Sequence, residues 1–225
     1  MNRFTTPSKI DLPNHSSDIT VIILAGGLKY RKKSCGPHLL FKNEGGESVL
    51  DCHMNVINKI LPESDVIITT GFDSRRIINK RPKKVRIVEN QLWDKTNEAE
   101  EIRLALNCCN TNNILIIQDN IIFDHHVLFQ SITQYSTILT TNKEDFDDNF
   151  GVVCVNGNAE NLSYGIDNYS VGMYYIREKE LKPFKRICNS NNSHKMLMEI
   201  MNELINRSGI KIKMATITNG KIQKI

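Results

Sequence analysis

From Ile19 to Asp119 the chain alternates between short, unbroken apolar runs and stretches whose apolar residues recur every three or four positions. The first run, ITVIILA at 19–25, stops abruptly at Gly26-Gly27. A continuous apolar run of this length predicts a strand buried on both faces, as parallel sheets require. The segments DVIITTG (65–71), KVRIVEN (84–90) and NILIIQD (113–119) repeat that form. Helical periodicity fills the gaps. Ser48 starts one helix, with Asp51 three residues on as its capping partner, and Pro62 marks its end. Its apolar side holds Val49, Leu50, Met54, Val56, Ile57, Ile60 and Leu61. SRRIINK (74–80) reads as a short helix, and NEAEEIRLALNCC (97–109) as another that buries Ile102, Leu104, Ala105 and Leu106.

This β-α-β-α-β-α-β order predicts a single-domain, three-layer α/β/α architecture around a mixed, mainly parallel sheet of Rossmann-like type. Right-handed crossovers place the loops that follow the strands along one edge, where ligands bind in such sheets. Gly26, Gly27, Asn90 and Asp119 all fall on that edge. Residues 1–18, rich in Ser, Thr, Pro and Asn, read as a mobile leader, with one domain from 19 to 225. The second half is less regular. STILTT, GVVCVNG, LSYGI and SVGMYYI read as strands of mixed direction, and SHKMLMEIMNELINRS as an amphipathic helix capped by Ser193. IKIKMATITNGKIQKI reads as a terminal hairpin around Asn219-Gly220, a strong turn dipeptide.

Charge narrows the class. The 29 basic and 25 acidic residues leave a net charge of +4, too balanced for the cationic stripe that nucleic acid requires. No stretch is long and apolar enough to span a bilayer, and the N-terminal residues lack the apolar core of a secretory signal. Six cysteines, at 35, 52, 108, 109, 154 and 188, form no Cys-x-x-Cys pair, and several sit in apolar runs. That usage fits reduced, buried thiols and a reducing, cytoplasmic setting.

Candidate chemistry gathers at the sheet edge. Gly26-Gly27 either lets backbone N–H groups converge on an anion or makes a tight turn that needs positive φ. Arg31 supplies a guanidinium suited to a phosphate, with Lys29, Lys32 and Lys33 nearby. Asp119, ending an apolar strand, either holds magnesium on bound phosphates or caps the next segment. His125-His126 reads as a surface pair or a helix start, and Glu144, Asp145, Asp147 and Asp148 as a solvated loop.

Taken in order, these segments resemble the nucleotidyltransferases of Rossmann-like glycosyltransferase-A fold, which include sugar-phosphate nucleotidyltransferases and phosphocholine cytidylyltransferases. LAGGLKYR resembles the family's Leu-Ala-Ala/Gly-Gly-x-Gly/Ser-x-Arg, with Lys29 in place of the small residue. PHLL is similar to its Pro-Lys-x-Leu, with His38 where lysine belongs. VENQLWDKTNEAEEIRLAL resembles the Asn-x-x-Tyr-x-x-Thr-Asn segment of the phosphocholine branch, and ILIIQD the Gly-Asp strand end, with Gln118 replacing glycine. The likeness runs from about Ile19 to the C-terminus.

The resemblance implies that Leu24, Ala25, Gly26 and Gly27 contact the base and sugar of a nucleoside triphosphate. It implies that Arg31 holds its β- and γ-phosphates, that Asn90, Thr96 and Asn97 seat the base, and that Asp119 holds Mg2+. A small phosphorylated acceptor would attack the α-phosphorus and release pyrophosphate. Two departures imply an alternative, a degenerate nucleotide-binding or structural relative. His38 is shorter than the family lysine, and NGKIQKI lacks the aspartate that serves the family as a second metal ligand.

Overall fold

The computed structural model describes residues 16–27, 36–207 and 209–225. Its strands are β1 (Ile19–Ala25), β2 (Asp65–Thr70), β3 (Arg86–Glu89), β4 (Asn113–Gln118), β5 (Ile121–Phe123), β6 (Thr137–Thr141), β7 (Gly151–Val155), β8 (Asn158–Ser163), β9 (Tyr169–Ile176), β10 (Lys213–Thr216) and β11 (Ile222–Lys224). Its helices are α1 (Val49–Ile60), α2 (Ser74–Lys80), α3 (Glu98–Leu106), α4 (His125–Ser131), α5 (Glu178–Ile187) and α6 (Leu197–Ile205).

Nine strands form one sheet in the order β3-β2-β1-β4-β9-β6-β10-β8-β7. Every residue of β1 is buried, and alternate side chains enter different cores. Val21 and Ile23 pack with Leu50, Met54 and Ile57 of α1 and Val127 and Leu128 of α4. Ile22 and Leu24 pack with Ile102 of α3, Phe184 of α5 and Ile200 of α6. The three-layer expectation therefore holds. Helix α1 starts at the expected place because Ser48 and Asp51 form a reciprocal capping box.

The expectation of a mainly parallel sheet gives way to a divided one. Parallel pairing joins β3, β2, β1 and β4, and again β6 and β10. β9 runs antiparallel between β4 and β6, and β7 and β8 are antiparallel to each other.

Other departures have local causes. The terminal hairpin does not form: β10 pairs with β6 and β8, whereas β11 pairs with β5 in a separate two-stranded sheet. The turn at Gly220 (φ +105°) redirects the chain, and the Asp124 carboxylate accepts the Lys221 N–H at 2.8 Å. Ile222 is buried in the α1 side of the core, a gain in burial that a surface hairpin lacks. Ser193 does not cap α6. That helix starts at Leu197, and the Glu199 carboxylate accepts the Met196 N–H at 2.7 Å. β8 occupies Asn158–Ser163 rather than LSYGI. Helix α5 was not legible in the pattern because Pro183 interrupts it, yet Leu181, Phe184 and Ile187 bury one face. His125 begins α4, capped by Asp124. The five described cysteines are unpaired. Among the described residues no helix is long and apolar enough to cross a membrane.

Candidate active site

β1 is flanked by β2 on one side and β4 on the other, so the chain's crossovers leave it in opposite directions. Such a reversal of strand order opens a crevice beyond the carboxyl ends of the strands. A cavity of about 540 Å³ lies there, lined by Leu24, Gly27, His38, Trp93, Asp94, Thr96, Asn97, Glu98, Glu101, Gln118, Asp119, Asn120 and Met196. Gly27 and Asp119 thus line one space, as the sheet order predicts.

Neither Gly26 nor Gly27 has positive φ. A Cβ on Gly26 would lie 2.7 Å from the Glu101 carboxyl carbon, so Gly26 is required by close approach. The Gly26 N–H donates to Glu101 Oε2 at 2.9 Å, and the Thr69 hydroxyl donates to the same oxygen at 2.5 Å. A carboxyl group does sit against this turn, and it is the protein's own. Burial pushes Glu101 up to about 7, against the lowering effect of the Thr69 and Gly26 hydrogen bonds, while the charges of Glu98 and Asp119 add to the rise. Gly71 is a second close approach, since a Cβ there would strike Trp93 and the Gly26 carbonyl. It lets the Trp93 ring pack edge-on against Phe72, with centroids 5.5 Å apart, while lining the cavity.

Of the residues singled out from sequence, Leu24, Gly27, His38, Thr96, Asn97 and Asp119 line the cavity. Ala25 is buried beneath it, with its N–H donating to Thr69 Oγ1 at 3.4 Å. Asn90 does not reach the cavity. Its amide donates to Thr96 Oγ1 at 2.9 Å and its oxygen accepts the Leu92 N–H at 3.0 Å, so it shapes the loop carrying Trp93. Asn97 ties that loop to the α6 side, donating from Nδ2 to the His194 carbonyl at 2.6 Å. Arg31 lies outside the described residues.

His38 is buried on the turn before α1, with Nδ1 3.5 Å from Asp119 Oδ1 and its ring edge-on to Phe41. The turn is pinned by the Val49 N–H donating to the Phe41 carbonyl at 2.9 Å. Behind Asp119, His53 of α1 donates from Nε2 to the Ile121 carbonyl at 2.7 Å, and the Ile225 N–H donates to the Asn120 carbonyl at 2.9 Å.

Sequence reasoning missed Glu101. The available signal was its place in NEAEEIRLAL, where it interrupts the buried stripe of Ala99, Ile102, Ala105 and Leu106. Glu98 was missed too. It accepts from Gln118 Nε2 and from the Leu197 N–H, each at 2.7 Å, and so joins α3, β4 and α6 at the cavity floor.

Among the described residues no cluster of three or more His, Cys, Asp or Glu side chains is arranged to hold a metal ion. Asp119 alone still fits magnesium, which often binds through one or two carboxylates while substrate phosphates and water complete its shell.

No protein-family profile matches the sequence, and no curated protein matches it. Solved structures do. The inositol-1-phosphate CTP transferase of T. maritima superposes with a TM-score of 0.72 at 14% identity, covering 92% of this chain and 88% of that one. The CTP:phosphocholine cytidylyltransferase of Streptococcus pneumoniae gives 0.71 at 14% identity over 92% and 93% of the two chains. A putative glucose-1-phosphate thymidylyltransferase of Bacillus anthracis gives 0.69 at 16% identity over 92% and 89%. The chain has the fold of these nucleotidyltransferases.

Proposed function

We propose that this chain, built on that fold, is a magnesium-dependent nucleotidyltransferase. It moves a nucleoside monophosphate from a triphosphate to a small phosphorylated acceptor and releases pyrophosphate. The observation that carries this reading is the cavity that Gly27 and Asp119 line together at the reversal of strand order. In this reading Leu24 and Gly27 bound the nucleoside, Thr96 and Asn97 form the wall facing it, and Asp119 holds Mg2+. Arg31 takes the β- and γ-phosphates. Bound there, magnesium supplies charge neutralisation on the phosphates. An acceptor phosphate oxygen forms a bond to the α-phosphorus as the bond from that phosphorus to the bridging oxygen breaks, and pyrophosphate carries away the electron pair. No protein nucleophile takes part, so positioning and electrostatics supply the rate.

Trp93 and Asp94 line the cavity beside the acidic Glu98. An aromatic face with carboxylates suits a cationic acceptor, which favours cytidylyl transfer to a phosphocholine-like substrate. The test is pyrophosphate release with each triphosphate, magnesium, and a panel of sugar and alcohol phosphates. Release is expected with CTP and a phosphocholine-like acceptor. Silence across the panel would remove the enzymatic reading.

The buried His38 favours a second reading, a nucleotide-binding protein without turnover. Held against Phe41 and Asp119, its ring lacks the reach of a lysine. Thermal-shift assays with magnesium and triphosphates separate the two readings: stabilisation without pyrophosphate release supports the second.

A further inference from the structure

The Glu101 side chain is 4% exposed and lines the cavity. Its two oxygens are not equivalent. Oε2 is saturated by the Gly26 N–H and the Thr69 hydroxyl, whereas Oε1 has no hydrogen-bond donor among the described residues. Oε1 opens on the cavity and is not sealed off from water, so a ligand that brings a donor takes the place of water there. A phosphate is the wrong ligand for this spot. It would meet a carboxylate, and the Gly26 N–H that would greet it is already used. The matching group is a hydrogen-bond donor on the nucleoside.

Resting on the nucleotidyltransferase reading above, we propose that Glu101 reads the base: Oε1 accepts a hydrogen bond from the exocyclic amine of cytosine, adenine or guanine, which selects against uracil and thymine. Cytosine and uracil make the sharpest pair, because uracil places a carbonyl oxygen where cytosine has its amine. Facing a carboxylate, that oxygen leaves two acceptors opposed.

Calorimetric titration with Mg-CTP, Mg-ATP, Mg-GTP, Mg-UTP and Mg-TTP at about pH 8 tests this. A hydrogen bond to a charged group discriminates by about 10- to 100-fold, so at least CTP is expected to outbind UTP by that margin. In E101Q the amide oxygen can keep the Gly26 and Thr69 bonds while the amide nitrogen faces the cavity. That change is expected to invert the ranking in favour of UTP and TTP, which a merely structural glutamate would not do. Nucleotide binding without CTP-over-UTP preference, or an unchanged ranking in E101Q, overturns the proposal while leaving the nucleotidyltransferase reading standing. Absence of binding by every triphosphate overturns both.

Should E101Q fail to fold, proton release by the wild type decides. The acidic groups facing Glu101 are Glu98 on its own helix and Asp119 at the end of β4, with Asp94 and His38 elsewhere on the cavity wall. An amine donor favours ionised Glu101, so near pH 7 CTP is expected to release more protons than UTP, measured in buffers of different ionisation enthalpy. Equal release for the two overturns the proposal.

Discussion

Gly26 is where backbone and function meet most closely. Its hydrogen faces the Glu101 carboxyl, and a methyl group would sit 2.7 Å from that carbon. The carboxyl is the far end of a side chain on α3, but its burial and its bonds to the Gly26 N–H and the Thr69 hydroxyl resist a shift. G26A is therefore expected to destabilise the protein by about 1–3 kcal/mol through overpacking and to weaken triphosphate binding in parallel. Urea denaturation and calorimetry would check the two effects. G27A is the control. Nothing lies within 4 Å of a Cβ there, so its fold stability is expected to stay near wild type. The family-like motif was visible from the sequence, but its physical reason was not. The carboxylate that demands the glycine is 75 residues away.

At the scale of elements, α1 links stability to the site. Its capping box satisfies helix-end N–H groups that water would otherwise serve. The next residue, Val49, pins the turn that carries His38. S48A is expected to lower stability by about 1 kcal/mol, seen as a reduced urea midpoint with an unchanged slope, and S48T is expected to restore most of it. The box was readable because its partners are three residues apart. β11 shows the opposite case. Asn219-Gly220 does make a turn, but the strand after it finds β5 and the α1 side of the core instead of β10. Local turn chemistry says where a chain bends, not which strand it meets.

Over the whole molecule, two buried groups set opposing responses to pH. Glu101 titrates at about 7 in the fold, against about 4.5 for a free glutamate. The native protein thus keeps a proton that the unfolded chain has released, and stability falls as pH rises through that window. His53 runs the other way. Burial lowers it to about 4 from about 6.5, despite its bond to the Ile121 carbonyl. The unfolded chain then takes up a proton that the native state refuses, and stability falls as pH drops from about 6.5 towards 4. Removing Glu101's charge should free the protein of the first penalty. E101Q is expected to gain stability relative to wild type between about pH 5 and pH 8, measured by denaturant midpoints. A difference that shrinks over that range would contradict burial of an ionisable carboxyl at this position.

The order of strands and helices through β4, the α1 cap and the ligand edge were written in the sequence. They depend on contacts within a few residues and on apolar runs that must be buried whatever their partners. The position of Asp119 opposite Gly27 followed from that order through the handedness of crossovers. Tertiary structure alone decided which carboxylate meets the glycine turn, that Asn90 serves its loop rather than the cavity, and that the last strand leaves the large sheet. Those outcomes rest on contacts between distant segments, where burial and hydrogen-bond satisfaction choose among partners that local pattern leaves equal.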